Sequence, residues 1–123
     1  MFNGATVMLE HRFYGFSNPV EDLNGTTLAK YHTIEQAVAD LEYFAKNVEL
    51  PMEGGDEVAP GMVPWILSGC SYMGALTAWT MHEYVFLPGV PFLDGPRVLI
   101  CEIDRKPGLF HAGWSSSAPV QPI

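Results

Sequence analysis

The sequence predicts an α/β protein in which a mostly parallel sheet carries flanking helices. Two short apolar runs, at residues 5–9 and approximately 63–68, have the length and composition of buried strands. Segments with helical periodicity follow these runs, so strands and helices alternate along the chain. Such alternation is typical of parallel sheets, because the connection between two parallel strands usually contains a helix.

The first predicted element is a buried strand over residues 5–9, where every position is small or apolar. Residues 10–32 are predicted to form a loop, because their proline, glycine and asparagine residues favour turns. Within this loop, Asn24 begins an Asn-Gly-Thr acceptor sequence for N-glycosylation. That modification would be used only in the secretory pathway.

A helix is predicted from Thr33 to about Asn47. Thr33 and Gln36 have the spacing of a capping box, in which both side chains satisfy backbone N–H groups at the start of a helix. Apolar residues then recur at spacings of three and four, which predicts one face turned towards a core. These residues are Ile34, Ala37, Val38, Leu41, Phe44, Ala45 and Val48.

A glycine-flanked serine joins the second predicted strand to a second helix. Residues 69–74 read Gly-Cys-Ser-Tyr-Met-Gly, and a helix-prone stretch follows at residues 75–81. A serine on such a turn has strained backbone angles that lift its hydroxyl above the sheet, and the helix directs its positive end at an adjacent oxyanion. Ser71 is therefore the predicted nucleophile, with Gly69 and Gly74 as the flanking residues that leave room for the turn.

The composition argues against several classes of partner. A net charge of −8 with only six Lys and Arg residues is unlike a nucleic-acid binder, because phosphate backbones would be repelled. No apolar run approaches the roughly 18 residues that a membrane span needs, so no membrane partner is expected. Cys70 and Cys101 lack metal-ligand spacing, so we expect neither metal nor cofactor, and Cys70 is predicted to be a small core residue.

Three ordered motifs resemble one family of serine peptidases. Residues 10–15 read Glu-His-Arg-Phe-Tyr-Gly, residues 69–79 extend the serine motif to Ala-Leu-Thr-Ala-Trp, and residues 116–120 read Ser-Ser-Ala-Pro-Val. Together with the helix start at Thr33, they resemble the family of lysosomal prolyl carboxypeptidase and dipeptidyl peptidase II. The chain departs from the family's pattern at Phe13, Cys70 and Met73, where the family has Tyr, Gly and Gly.

The resemblance implies that residues 1–123 are a fragment of one catalytic domain with a partial α/β-hydrolase core. It implies a serine-type exopeptidase, either a dipeptidyl-peptidase or a Pro-X carboxypeptidase, whose partner is a peptide with proline near the cleaved end. The parent protein would then be secreted, vacuolar or lysosomal. Ser71 would attack the peptide carbonyl, and the backbone N–H of Tyr72 would donate to the oxyanion. A possible oxyanion loop would complete the hole, and its residues are His11, Arg12, Phe13, Tyr14 and Gly15.

Two alternatives stay open for the function. The chain could belong to an esterase or lipase with the same turn, or it could be non-catalytic, with Ser71 as an ordinary turn residue. His11 and Arg12 could equally form an ion-paired structural corner with Glu10. The family's acid and base come later than this segment, and His82, His111, Asp94 and Asp104 are unconvincing substitutes. The fragment is therefore expected to be inactive alone.

Residues 85–106 interrupt the resemblance, because joining Tyr84 to Pro107 restores the family's pattern without a gap. Valine codons begin with GT and one lysine codon ends in AG, so a block from Val85 to Lys106 has the ends of an intron. A retained intron or gene-model error is one hypothesis. A genuine insertion is the other, because residues 96–103 have the pattern of a strand.

Overall fold

A computed structural model describes residues 4–84, 97–100 and 109–118 of the chain. In chain order the elements are α1 (Gly25–Tyr31), α2 (Ile34–Asn47), β1 (Ile66–Cys70), α3 (Tyr72–Tyr84), β2 (Arg97–Ile100) and β3 (Ala112–Ser116). The chain divides into two compact units, residues 1–37 and residues 38–123. Among the described helices, none has the length and apolar character required to span a bilayer.

In the first unit, α1 forms where the sequence predicted only a loop. The side chain of Asn24 explains its start, because Asn24 Oδ1 accepts a hydrogen bond from the backbone N–H of Thr27 at 2.9 Å. Lys30 lies in the last turn, where a positive charge complements the helix dipole. The prediction of a continuous loop over residues 10–32 was therefore wrong for Gly25–Tyr31.

The predicted strand at residues 5–9 is absent from the structure. These residues have no regular structure and are exposed, with 93% of Met8 accessible to solvent. A strand is stable only when a neighbouring strand completes its ladder of hydrogen bonds. The described sheet consists of β1, β2 and β3, so the apolar composition of residues 5–9 was not sufficient to define a strand.

Helix α2 confirms the predicted helix and its end at Asn47. Thr33 Oγ1 accepts a hydrogen bond from the N–H of Gln36 at 3.3 Å, as the capping box requires. The Gln36 side chain has a different role from the predicted one, because its Oε1 accepts from Arg12 Nη1 at 2.9 Å. The predicted apolar face is buried at Ala37, Val38 and Ala45, is half-buried at Leu41, Phe44 and Val48, and is 41% exposed at Ile34.

The sheet in the second unit has the strand order β1-β3-β2. Strands β1 and β3 are parallel, with Ile66 opposite Ala112 and Cys70 opposite Ser116. Strand β2 is antiparallel to β3 and lies inside the strand predicted over residues 96–103. The rest of the block 85–106, from residue 85 to 96 and from 101 to 106, lies outside the described residues. The parallel pair with α3 between its strands is an α/β arrangement, and β2 adds an antiparallel strand to it.

Helix α3 packs on one face of this sheet. Two small residues allow the close approach: a Cβ atom at Gly113 would lie 2.5 Å from Met81 Cγ, and one at Gly69 would collide with the carbonyl oxygen of Met73. The helix side of the contact is buried at Ala75, Leu76, Thr77, Thr80 and Met81. The sequence predicted this second strand at residues 63–68, and the structure places it slightly later, at Ile66–Cys70.

Candidate active site

Ser71 lies at the bend between β1 and α3. It follows Cys70, the last residue of β1, and precedes Tyr72, the first residue of α3. Its φ angle is +57°, and its side chain is exposed. Non-glycine residues rarely adopt this left-handed conformation, because Cβ then lies too close to the backbone. The strand-to-helix turn expected from the sequence is thus present, with its strain at the serine.

Two backbone hydrogen bonds fix the position of Ser71. Its N–H donates to the carbonyl oxygen of Ser116 at 2.9 Å, and its own carbonyl accepts from the N–H of Ala75 at 3.0 Å. The first bond ties the bend to the end of β3, and the second begins the hydrogen-bond ladder of α3. Both backbone polar groups of Ser71 are therefore held, its N–H by β3 and its carbonyl by α3.

The flanking glycines are required by close contacts. A Cβ atom at Gly74 would lie 2.7 Å from the carbonyl oxygen of Ser116, closer than real Cβ atoms approach. Met73, which stands where the related motif has glycine, lies in the first turn of α3. Its carbonyl accepts a hydrogen bond from Thr77 Oγ1 at 2.8 Å. The long side chain of Met73 thus does not prevent the turn from forming.

The N-terminal end of α3 favours negative charge beside Ser71. The helix has 13 residues, and its first turn contains no acidic residue. A helix N-terminus carries a partial positive charge, and the backbone N–H groups of its first turn point towards that end. Tyr72 is the first helical residue. An oxyanion formed next to Ser71 would therefore meet a favourable local field.

The loop at residues 10–17 belongs to the first unit and has a tight structure of its own. Phe13 and Gly15 have positive φ angles of 66° and 56°. The Glu10 carboxylate accepts hydrogen bonds from Ser17 Oγ at 2.6 Å and from the N–H of Phe16 at 3.0 Å. The bond from the Ser17 hydroxyl is the main cause of a lowered pKa at Glu10. A Cβ atom at Gly15 would collide with this carboxylate, which explains the glycine.

Arg12 connects the same loop to the end of α1 and to the start of α2. Its Nη1 donates to the carbonyl oxygen of Tyr31 at 2.7 Å, at the end of α1, and to Gln36 Oε1, at the start of α2. Phe13 and Tyr14 already use their N–H groups within the loop, donating to the carbonyls of Ser17 and His11 at 2.8 and 3.0 Å. Both Arg12 and Glu10 thus have a structural role in shaping the loop.

His32 joins a cluster of rings that the sequence did not predict. Its ring lies 5.5 Å from that of His11, 5.4 Å from that of Phe13 and 5.9 Å from that of Tyr14, measured between centroids. His32 is half-buried, and its Nε2 is buried without a hydrogen-bond partner in the described structure. A single histidine in a polar segment carries no periodic signal that could have revealed this.

Neither described histidine of the second unit is placed to accept a proton from Ser71. His82 follows Ser71 by 11 positions on α3, a rise of about 16 Å along a helix. His111 precedes β3, and its N–H donates to the carbonyl of Trp65 just before β1. It therefore lies at the amino ends of these five-residue strands, about 16 Å from the carboxyl ends. Asp94 and Asp104 lie outside the described residues.

A cavity of about 260 Å³ lies at the amino ends of β1 and β3. Its lining is formed by residues 61–65, Leu109 and His111. Since Ser71 follows the carboxyl end of β1, the length of the strand separates this cavity from the bend. The cavity consequently does not serve as the pocket of a substrate bound at Ser71.

The structure also places Asn24 and Cys70, two further residues for which the sequence made predictions. Asn24 is exposed, and its Nδ2 donates to Asp22 Oδ2, so the acceptor sequence lies at the surface while its asparagine caps α1. Cys70 is exposed rather than part of the core, because alternate residues of β1 face away from α3. In the described ranges, no three His, Cys, Asp or Glu side chains are grouped so that they could hold a metal ion.

Comparison with known proteins identifies the family. The model of the family described as serine carboxypeptidase S28 matches residues 1–87. The chain belongs to this family. The S28 relatives include the serine protease vicPa of Bipolaris victoriae, which is 43% identical over 77 residues, covering 63% of this chain and 14% of that protein.

A second relative is the probable extracellular serine carboxypeptidase of Arthroderma benhamiae, 42% identical over 83 residues, or 67% of this chain and 11% of that protein. The thymus-specific serine protease of Mus musculus is 35% identical over 85 residues, covering 68% of this chain and 16% of its own length. The matched part of the S28 chain thus spans between about a tenth and a sixth of the length of these relatives. The resemblance recognised from the three sequence motifs is confirmed at the level of the family.

Proposed function

We propose that Ser71 is the nucleophile of a serine-type exopeptidase built on an α/β-hydrolase core. The observation that carries this proposal is the left-handed backbone of Ser71 between β1 and α3. A bend of this kind holds a short nucleophilic side chain exposed at a helix N-terminus, where a carbonyl carbon can approach it. Membership of the S28 family supports serine chemistry as the reaction class.

In the proposed reaction, Ser71 Oγ forms a bond to the carbonyl carbon of the peptide while its proton passes to a general base. The carbonyl oxygen becomes an oxyanion, to which the N–H of Tyr72 donates. A further donor from residues 11–15 is part of this proposal only through the resemblance to the family. The C–N bond then breaks, and the leaving amine takes the proton. Water hydrolyses the acyl-enzyme and regenerates the serine hydroxyl.

The substrate class and location of the protein rest on the resemblance to the prolyl carboxypeptidase and dipeptidyl peptidase II family. On this proposal the substrate is a peptide with proline near the cleaved end, and the activity is that of a Pro-X carboxypeptidase or a dipeptidyl-peptidase. The protein would act outside the cell, in a vacuole or in a lysosome. The exposed acceptor sequence at Asn24 and the extracellular name of the Arthroderma benhamiae relative support a secretory route.

The 123-residue chain by itself is expected to be inactive. His82 and His111 are both about 16 Å from the bend along their elements, and loss of the catalytic base costs a serine hydrolase on the order of a millionfold in turnover. Purified chain should therefore release no product from a proline-containing peptide above the rate of the Ser71→Ala variant. Cleavage by the unmodified chain that disappears in Ser71→Ala would overturn the expected inactivity and support the nucleophile.

The nucleophile itself is tested in a form of the protein that carries the remainder of an S28 domain. A fluorophosphonate probe should label that protein, and Ser71→Ala should abolish the labelling. Equal labelling of both forms would assign the reactive serine to another position, and labelling of neither would favour a non-catalytic chain. Hydrolysis of ester substrates without any cleavage of peptides would instead indicate an esterase.

A further inference from the structure

Two consecutive residues of β3 contact the bend at Ser71. Ser115 Oγ donates a hydrogen bond to the carbonyl oxygen of Gly74 at 2.8 Å. The carbonyl oxygen of Ser116 accepts from the N–H of Ser71 at 2.9 Å. Gly74 lies in the first turn of α3, so the helix side and the serine of the bend are both tied to one strand. No sequence pattern near residue 71 indicates these contacts, because Ser115 and Gly74 are 41 residues apart.

The contact between β3 and the bend is also close. A Cβ atom placed on Gly74 would lie 2.7 Å from the carbonyl oxygen of Ser116 and 3.2 Å from Ala118 Cβ. Ser117 has a φ angle of +50°, so the chain turns directly after β3. Strand β3 is itself held by its parallel pairing with β1, where Cys70 lies opposite Ser116. The strand therefore offers a fixed support against which the first turn of α3 rests.

We propose that Ser115 is a positioning residue, whose hydroxyl holds the first turn of α3 so that Ser71 keeps its left-handed backbone conformation. A strained residue persists only where its surroundings determine its conformation. Without the hydroxyl, the carbonyl of Gly74 loses its link to β3, and the first turn can move until Ser71 adopts an ordinary φ. The catalytic consequence rests on the proposed role of Ser71, whereas the effect on the backbone does not.

The proposal is tested with a matched pair of variants of the 123-residue chain. Ser115→Thr and Ser115→Val give side chains of the same shape, but only threonine keeps the hydroxyl. Ser115→Ala is a third variant that adds no atoms and so cannot fail through overpacking. Amide hydrogen exchange and the coupling between the amide and Hα protons, measured by NMR, report the hydrogen bond and the φ angle of Ser71. The amide of Met81, later in α3, is the internal reference.

Removal of the hydroxyl should increase exchange at Ser71 about fivefold relative to Met81, the effect expected for one hydrogen bond. The coupling constant of Ser71 should change in Ser115→Val and Ser115→Ala, while Ser115→Thr should remain within about twofold of the unmodified chain in exchange. Equal behaviour of the threonine and valine variants would overturn the proposal. A parallel increase at Ser71 and Met81 would also overturn it, because that result indicates a general loss of stability.

The catalytic consequence has a separate measurement. In a catalytically active form of the protein, Ser115→Val should lower kcat with little change in KM, and Ser115→Thr should restore kcat, because the hydroxyl bonds the Gly74 carbonyl and acts on Ser71 through the backbone. If Ser71→Ala leaves the activity unchanged, the proposed function fails while the exchange result at Ser71 still stands. If Ser71→Ala abolishes activity but the exchange at Ser71 is insensitive to the hydroxyl, only the positioning role fails.

Discussion

Replacement of Ser71 by glycine should stabilise the chain relative to replacement by alanine. At a φ of +57°, a residue with Cβ carries a conformational cost of about 1–2 kcal/mol that glycine does not have. Glycine in turn loses more backbone entropy on folding, which costs about 0.5–1 kcal/mol relative to alanine. The difference leaves Ser71→Gly more stable than Ser71→Ala by about 0.5–1 kcal/mol.

Ser68 is a matched position, at which the stability difference between the glycine and alanine variants should have the opposite sign. Ser68 is an exposed serine in the middle of β1, where the backbone is extended and glycine has no steric advantage. Ser68→Gly should therefore be less stable than Ser68→Ala by about 0.5–1 kcal/mol. Comparing the glycine-minus-alanine difference at Ser71 with that at Ser68 gives an effect of about 1–2 kcal/mol, which isolates the left-handed conformation from the other consequences of glycine.

Urea unfolding followed by tryptophan fluorescence measures all four variants. The unfolding midpoints give the free energies directly, provided that the dependence on urea is the same in each variant. If glycine destabilises position 71 as much as it does position 68, Ser71 does not have a positive φ in solution. The proposal that Ser71 is a nucleophile held on a strained bend would then lose its main support.

Three further predictions concern other contacts. Gly74→Ala should destabilise the chain by about 1–3 kcal/mol in urea unfolding, because its Cβ would lie 2.7 Å from Ser116 O, and an unchanged midpoint would contradict this contact. Thr33→Ala should cost α2 about 1 kcal/mol and Thr33→Ser much less, so equal losses in the two variants would disprove the cap. Since bonding to Ser17 lowers the pKa of Glu10 below its ordinary 4.5, its stabilising contribution is complete above pH 4.5 and is lost as the pH falls further. In Glu10→Gln this part of the pH dependence should disappear from unfolding midpoints measured between pH 6 and pH 3. If the full pH dependence persists in this variant, it arises from another ionisable group.

Features that depend on neighbouring residues could be predicted from the sequence. The cap at Thr33 and the end of α2 at Asn47 were both predicted, because capping and periodicity involve residues within about four positions of one another. Helix α1 was missed although its signal is equally local. Asn24 was interpreted as a glycosylation site in a loop, whereas its side chain also caps a helix of seven residues.

Features that depend on distant residues could not be predicted. The apolar run at residues 5–9 looks like a buried strand, but strand formation requires a partner, and composition does not specify one. Cys70 was expected in the core, yet the face of β1 that α3 covers leaves it exposed. The ring cluster around His32 likewise forms only because the loop at residues 10–17 contacts the segment between α1 and α2.

The sequence by itself determined the S28 family, the order of strand, serine and helix, and the need for glycine beside the bend. These follow from short motifs, in which the chemistry and the local backbone are specified by adjacent residues. The tertiary structure decided which groups contact the bend: the Ser116 carbonyl accepts from the N–H of Ser71, and the Ser115 hydroxyl donates to the carbonyl of Gly74. These contacts exist because β3 pairs with β1 in one register, and that pairing depends on the packing of segments that are far apart in the chain.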